Sequence, residues 1–313
     1  ASVVGLMEIE NSAALGEPAD EATATLVKAL NAAAGVRKWD YVRSNAAQLP
    51  PVADQDVIRN AIIYRTADVR TVGASASIGD EPVFANAREP MAQVFRPVGG
   101  DANGDFAVVV NHFKSKSASG ATGDNTDTGQ GGYNGDRTRQ ATALAAFADE
   151  FAADRGVEAV FLTGDFNSYT QEDPMQVLYG EGYRKINSDQ PNDYSYSFSG
   201  LSGSLDHFVG NDAARALVTG ADYWSINSGE SIAFEYSRYN ENRTQFYEDN
   251  VFRASDHDPM VVGINPAEPD PTVDLTIVST NDFHGRINNS TASDGAQTGT
   301  AQYAGTIEQI RAN

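Results

Sequence analysis

Glu158-Ala159-Val160-Phe161-Leu162-Thr163-Gly164-Asp165-Phe166-Asn167 is the stretch on which the reading of this chain turns. Its apolar run is short and carries β-branched and aromatic residues, as a strand buried on both faces does. It passes without a spacer into a glycine, a carboxylate and an amide. Immediately upstream, Arg137 to Arg155 predicts a helix: Leu144, Phe147 and Phe151 share one side and Gly156 ends it. Further out, Val57 to Tyr64, Met91 to Phe95 and Phe106 to Val110 read as strands. Pro18 to Ala33 reads as a helix, with Pro18 in its first turn, Leu26 and Leu30 four apart, and Gly35 as the stop. Strand and helix signals interleave, which predicts a layered α/β domain.

Residues 115–136 interrupt that alternation with six glycines and many small polar residues, Tyr133 being the only large apolar one. A structureless loop of this length inside a domain is usually functional or mobile. Within it, Asp124-Asn125-Thr126-Asp127-Thr128-Gly129 spaces oxygen ligands as a calcium loop does. The downstream bidentate acid is absent, so a plain flexible loop is the favoured reading. At the start, Ser2 to Met7 is an apolar strand with no polar lead-in and no signal peptide, and the expectation is a chain cut from something longer. Near the other end, Pro266-Ala267-Glu268-Pro269-Asp270-Pro271 has the composition of an extended linker. Val273 to Ser279 then begins a new strand, and the 42 residues beyond Pro271 are too few for a second core. The expected organisation is one domain over residues 1–264, a linker over 265–272, and over 273–313 the incomplete start of another domain, disordered or loosely docked.

Among 313 residues, 43 are acidic and 22 basic, a net charge of −21. That balance excludes a uniformly basic protein that coats nucleic acid. It fits a surface kept soluble, a set of carboxylates gathered on a divalent metal, or both. Hydrophobic residues at 41% and charged residues at 21% are globular rather than disordered composition. There is no cysteine, so there is no disulfide framework, thiolate metal site or cysteine nucleophile. No apolar run approaches the roughly 20 residues that span a bilayer.

Five segments repeat the pattern of an apolar strand ending in acid, amide or imidazole. They are Leu6-Met7-Glu8-Ile9-Glu10-Asn11, Val110-Asn111-His112-Phe113-Lys114-Ser115, Leu162 to Asn167, Ser204-Leu205-Asp206-His207-Phe208-Val209 and Ala254-Ser255-Asp256-His257-Asp258-Pro259. In layered α/β folds ligand sites collect at strand ends. The chemistry that suits such a set is phosphoester hydrolysis. Hard oxygens hold Mg²⁺ or Mn²⁺, with Ca²⁺ as a third candidate, and the metal steadies charge on the phosphoryl oxygens. A neutral histidine tuned by a carboxylate takes a proton from water. Singly these signals are weak: an Asp-His pair is commonly a surface or capping feature, and Asn167 two residues after Asp165 is ordinary turn chemistry. Glu8 says more, because an acid ending a buried strand needs a partner or a metal. Three of the four histidines, His112, His207 and His257, fall in these segments, and that concentration favours catalysis.

In this order, Met7-Glu8, Asn111-His112, Gly164-Asp165-Phe166-Asn167, Leu205-Asp206-His207 and Ser255-Asp256-His257-Asp258-Pro259 resemble the endonuclease/exonuclease/phosphatase superfamily, over roughly residues 1 to 264. More narrowly the chain resembles large secreted bacterial nucleases, which carry similar Glu-Ile-Glu-Asn and Asn-His-Phe-Lys-Ser-Lys runs. The resemblance implies a DNase-I-like four-layer α/β sandwich, two central sheets flanked by helices, and an extracellular location. It implies Glu8 as principal metal ligand, His112 on the scissile phosphate, and Asp165 and Asn167 placing the water or leaving oxygen. Asp206 would orient His257, the general base, and Asp256 would sit at the metal or phosphate. Arg88 resembles a phosphate-contacting arginine, and Asp56 is expected to pair with His112. Family members begin with a strand bearing an asparagine near the metal. That first strand is missing here, so a neighbouring strand is expected to stand unpaired. The tail, Leu275 to Gly285, resembles the opening of a 5′-nucleotidase-type metallophosphatase, in which Asp282 and His284 would be metal ligands whose companions lie outside this chain.

Lys114, Lys116, Arg137 and Arg139 bracket the glycine-rich loop, and Arg59, Arg65 and Arg88 could extend the same face. The functional reading is a basic lip that grips a nucleic-acid backbone, with Lys114, Arg137, Arg139 and Arg88 as substrate contacts; the bland reading is scattered solvated bases. The expected activity is metal-dependent, sequence-nonspecific cleavage of DNA, with RNA as a second substrate, by in-line attack of water. A monomer without a membrane partner is expected. Two rivals remain. One is a phosphoesterase acting on a lipid or small molecule, which the polar 115–136 loop disfavours. The other is a catalytically impaired binding fragment.

Overall fold

The computed structural model describes residues 1–79, 82–190, 193–235, 246, 248 and 250–266, and the backbone of 275–280. In chain order the elements are β1 (Val3–Glu10), α1 (Glu21–Ala34), β2 (Trp39–Tyr41), β3 (Ile58–Arg65), β4 (Val69–Ser77), β5 (Arg88–Pro97), β6 (Phe106–His112), α2 (Asn134–Arg155), β7 (Ala159–Asp165), α3 (Asp173–Gly180) and β8 (Arg184–Lys185). A hairpin of β9 (Tyr196–Phe198) and β10 (Leu201–Gly203) follows, then β11 (Asp206–Gly210), α4 (Asp212–Ala216), β12 (Val218–Tyr223), β13 (Met260–Ile264) and β14 (Leu275–Thr280).

Two six-stranded sheets form the centre. The first has the order β12-β13-β14-β1-β3-β2 and the second β4-β5-β6-β7-β11-β8. Strand alternation sorts their side chains into layers. Val3, Met7, Ile62, Phe95, Phe106, Val108, Val110, Phe161 and Phe208 pack between the sheets. Ala107, Val109, Val160, Leu162 and Val209 face outward against Leu144, Ala148 and Phe151 of α2 and Leu178 of α3. Val4, Leu6, Ile9, Ala61 and Ile63 face outward against Leu26, Val27 and Leu30 of α1. The molecule is therefore four-layered, helix–sheet–sheet–helix, as the fold class predicted. Each fully buried Val, Leu, Ile, Phe or Met among them contributes roughly 1.5–3 kcal/mol.

The predicted elements are present with shifted ends. α1 begins at Glu21 with Asp20 as its N-cap, so Pro18 precedes the helix instead of occupying its first turn. The 115–136 segment is irregular but tied down. Lys116 Nζ donates to Gln130 O and to the Glu172 carboxylate, Asp127 Oδ1 accepts from the Gly129 and Gly131 amides, and Tyr133 Oη donates to Ser119 O.

The tail strand departs from expectation. β14 lies inside the first sheet, parallel to β1 (Val3 opposite Ile277, Leu6 opposite Thr280) and antiparallel to β13 (Met260 opposite Ser279, Ile264 opposite Leu275). β1 is thus paired on both sides, by β14 and β3, and the expected unpaired neighbour does not occur. Asp282, His284 and linker residues 267–272 lie outside the described residues.

Candidate active site

Register alone assembles half of the site. In the second sheet Arg88 lies opposite His112, His112 opposite Asp165, and Asp165 opposite Asp206. Four residues from β5, β6, β7 and β11 therefore form one row across adjacent strands, each step about 4.8 Å. Alternation puts His112 on the face of Val110, Asp165 on that of Phe161 and Asp206 on that of Phe208, all toward the first sheet. Arg88 joins that face because β5 is irregular between Arg88 and Met91, where one extra residue resets its alternation. The next residue on β11 shows the opposite outcome. His207 points to the helical side, packs on Phe166 at 5.7 Å between ring centroids, and has Nε2 2.9 Å from Ser168 O. Burial pushes its pKa down to about 3, so it is a neutral core histidine and not part of the site.

The close approach of β6 to β7 depends on Gly164. Its φ is +143°, and a Cβ there would lie 1.9 Å from the carbonyl oxygen of Asn111. Beyond it, Asp165 is held in place by Asn167, whose main-chain amide donates to Oδ1 at 2.6 Å and whose Nδ2 donates to Oδ2 at 2.8 Å. Asn167 adopts a left-handed φ of +45° to do so. Burial first, then the Asp206 carboxylate and Glu8, push the Asp165 pKa up to about 7. His112 is driven well below the usual histidine range by burial, Arg88, His257 and Lys114, and is therefore neutral. Its Nε2 is 3.4 Å from Asp165 Oδ2 and 3.4 Å from Arg88 Nη1.

The first sheet supplies the opposing groups. Glu8 sits where the pairing of β1 with β3 shifts between Leu6 and Ile9, with a left-handed φ of +56°. A non-glycine residue in this region costs of order 1–3 kcal/mol and marks a conformation that the surroundings enforce. His257 arrives on the loop before β13. Its Nδ1 lies 2.8 Å from Asp206 Oδ2, with both residues buried, and the arrangement in which Nδ1–H donates to that carboxyl oxygen directs Nε2 to act as the base. The neighbouring Asp258 does structural work: Oδ1 accepts from the amides of Ile226, Asn227 and Ser228, Oδ2 accepts from Ser228 Oγ, and Asn227 Nδ2 donates to His257 O. Tyr196, which sequence reasoning did not single out, stacks on the His257 ring at 4.3 Å. Its one sequence signal is the alternating aromatic pair Tyr196 and Phe198, a strand pattern that says nothing of what the strand packs on.

The structure brings Asp165, Asp206 and His257 together: one ligand atom from each lies within 4.8 Å of the others, the only such group of three among the described residues. Asp206 Oδ1 and Asp256 Oδ1 are buried without a hydrogen-bond partner. The close carboxylates of Asp165 and Asp206, the latter with unfilled acceptor capacity, fit a divalent cation of the Mg²⁺ or Mn²⁺ kind. The calcium-like loop does not form a cage, because Asp124 pairs with Arg139 and Asp127 with main-chain amides.

Several expected partners are engaged elsewhere. Arg137 is fully buried and donates to the carbonyl oxygens of Gly132, Gln130, Lys114 and Ser115, so it clamps the glycine-rich loop and does not reach a substrate. Arg139 pairs with Asp124 and Asp136, Arg59 with Asp20, Arg65 with Asp68, and Lys116 with Glu172. Asp56 pairs with Arg88 at 3.1 Å instead of with His112. Arg88, though paired with Asp56, still reaches the site with Nη1 3.4 Å from His112 Nε2, so the basic lip contracts to Arg88 and Lys114, the latter with Nζ 4.9 Å from the Tyr133 ring centroid.

No family profile and no curated protein matches this chain. Among solved structures, it is similar to a Bacteroides vulgatus endonuclease/exonuclease/phosphatase, at 11% identity over 85% of this chain and 99% of that one, with a TM-score of 0.48. It is similar to a Bacteroides thetaiotaomicron mannosyl-6-phosphatase, at 14% identity over 83% and 98%, with a TM-score of 0.48. A third likeness is to Danio rerio TDP2 complexed with single-strand DNA product, at 12% identity over 71% and 90%, with a TM-score of 0.39.

Proposed function

We propose that this chain is a metal-dependent phosphodiester hydrolase that cleaves nucleic acid, DNA foremost, without sequence preference and outside the cell, as a monomer. The observation that carries this reading is the buried Asp206–His257 pair, at 2.8 Å, set beside Asp165. Asp206 holds the imidazole through Nδ1, and Nε2 takes a proton from water, which attacks phosphorus in line with the leaving oxygen. Asp165, poised near neutrality and oriented by Asn167, can donate a proton to that oxygen or bind cation. Neutral His112, Arg88 and Lys114 line the side on which nonbridging oxygens would rest. Glu8, Asp165, Asp206 and Asp256 would hold Mg²⁺ or Mn²⁺, which supplies charge stabilisation to the phosphoryl group. The local cation count is small, so nucleic-acid binding is weak and falls with salt.

The test is nicking of supercoiled plasmid by the purified chain with Mg²⁺ or Mn²⁺ and with chelator. Cleavage should require metal and fall roughly 10²–10⁴-fold in His257→Ala, with a comparable loss in Glu8→Gln. Unchanged cleavage in both variants overturns the assignment.

A further inference from the structure

The hairpin of β9 and β10 stands beside His257 and takes no part in the chemistry above. Its turn, Phe198-Ser199-Gly200-Leu201, puts Phe198 opposite Leu201, and both central residues have positive φ, +52° and +79°. That is the tight two-residue turn whose twist suits a hairpin, and it fixes two apolar side chains at the tip. They are the two most exposed large apolar side chains among the described residues, Phe198 at 63% and Leu201 at 74%. The rings behind the tip form a pile. Phe198 lies 6.3 Å from Tyr196 with planes 11° apart, and Tyr196 lies 4.3 Å from His257. Tyr169 packs on the hairpin at Gly203, where a Cβ would lie 2.7 Å from its ring, and Lys116 Nζ sits 5.0 Å from the Tyr169 centroid.

We propose that this hairpin is a stacking platform for an unpaired nucleobase next to the scissile phosphate, which makes single-stranded nucleic acid the preferred substrate. The proposal rests on the hydrolase reading of the neighbouring cleft. A flat ring laid on Phe198 continues a pile that already ends on His257, so base and phosphate are placed by one rigid unit. Aromatic stacking is the sequence-tolerant way to hold single strands, because every base has a π-face. A paired base is stacked within its duplex and cannot present that face. A bilayer is the poorer occupant, because burying an apolar tip in lipid does not need the coplanar rings behind it.

The experiment compares two fluorescent oligonucleotides of equal length, one oligo-dT and one built of abasic residues. Binding is read by anisotropy at low salt in chelator, so turnover plays no part. The full chain should bind oligo-dT between about fivefold and a hundredfold more tightly than the abasic strand. Phe198→Ala should bring that ratio close to one, while Val98→Ser, exposed elsewhere, leaves it intact. A ratio near one in the unmodified chain, or one that Phe198→Ala leaves standing, overturns the platform. So does loss of binding to phosphatidylcholine vesicles in Phe198→Ala with the ratio retained, which would assign the tip to a membrane. A chain that shows the predicted ratio yet never cleaves DNA with metal sinks the hydrolase reading alone, and one that cleaves plasmid without the ratio sinks the platform alone.

Discussion

The second sheet carries Arg88, His112, Asp165 and Asp206 as a row fixed by strand register, whereas the first sheet delivers Glu8 and His257 from an irregular strand and a loop. Three members of the row come from the successive strands β5, β6 and β7 and the fourth from β11, and every strand that bears it is buried by helices on the outside and by the facing sheet within. The opposing half is assembled from remote parts. β1 opens the chain, the His257 loop hangs from Asp258 and Asn227, and β14 must reach between β1 and β13 to close the sheet. A cleft made this way has one side whose geometry is inherent in the sheet and another whose geometry depends on long-range assembly. The second side holds His257, the base of the proposed mechanism, so the proposed activity depends on the less local half.

Removing β14 attacks that dependence most directly. A chain ending at Pro266 leaves the main chain of β1 and β13 unpaired in mid-sheet, and each buried unpaired group costs on the order of 1–3 kcal/mol. The summed loss rivals the total stability of an ordinary domain. Thermal unfolding of the shortened chain should therefore be non-cooperative or shifted down by tens of degrees. A melting temperature within a few degrees of the full chain would show that the first sheet does not need this strand.

Much of the second sheet was legible in the sequence because its strands are short, apolar and punctuated. Val160 to Leu162 running into Gly164-Asp165 declares both a buried strand and a polar end, whereas the site roles of Asp165, Asn167 and Asp206 came from the resemblance. The dyad of Asp206 and His257 was expected from resemblance, and the structure brings the pair together. What could not be read is side-chain competition. Arg137 looks like a free cation in sequence, yet the glycine-rich loop folds its carbonyl oxygens inward and the buried guanidinium donates to four of them. Asp56, Arg59 and Arg139 were misjudged for the same reason, since each has an oppositely charged neighbour that spacing along the chain does not reveal. β14 was read as part of another unit, because the Pro-rich composition before it resembles a linker and pairing with β1 is invisible across some 270 residues.

A smaller effect sharpens the contrast from the second sheet's outer face. His207 has a pKa of about 3 when folded against an ordinary 6.5, so the unfolded chain binds its proton first as pH falls. Its contribution is complete above about pH 6.5 and is lost steadily toward pH 3, by up to about 1.4 kcal/mol per unit. Denaturant unfolding of the full chain and of His207→Gln between pH 6.5 and 4.5 should give a shallower pH slope for the variant. Parallel slopes would mean that His207 is not held neutral in the core.

Crystals grown with Mn²⁺ and recorded at the manganese absorption edge test the central claim, that the two sheets meet on one cation. An anomalous peak within about 2–2.5 Å of carboxylate oxygens from Asp165 or Asp206 on the second sheet and from Glu8 on the first is the predicted result. Well-ordered crystals at millimolar Mn²⁺ with no peak in the cleft, or with peaks only at surface acids, would contradict it.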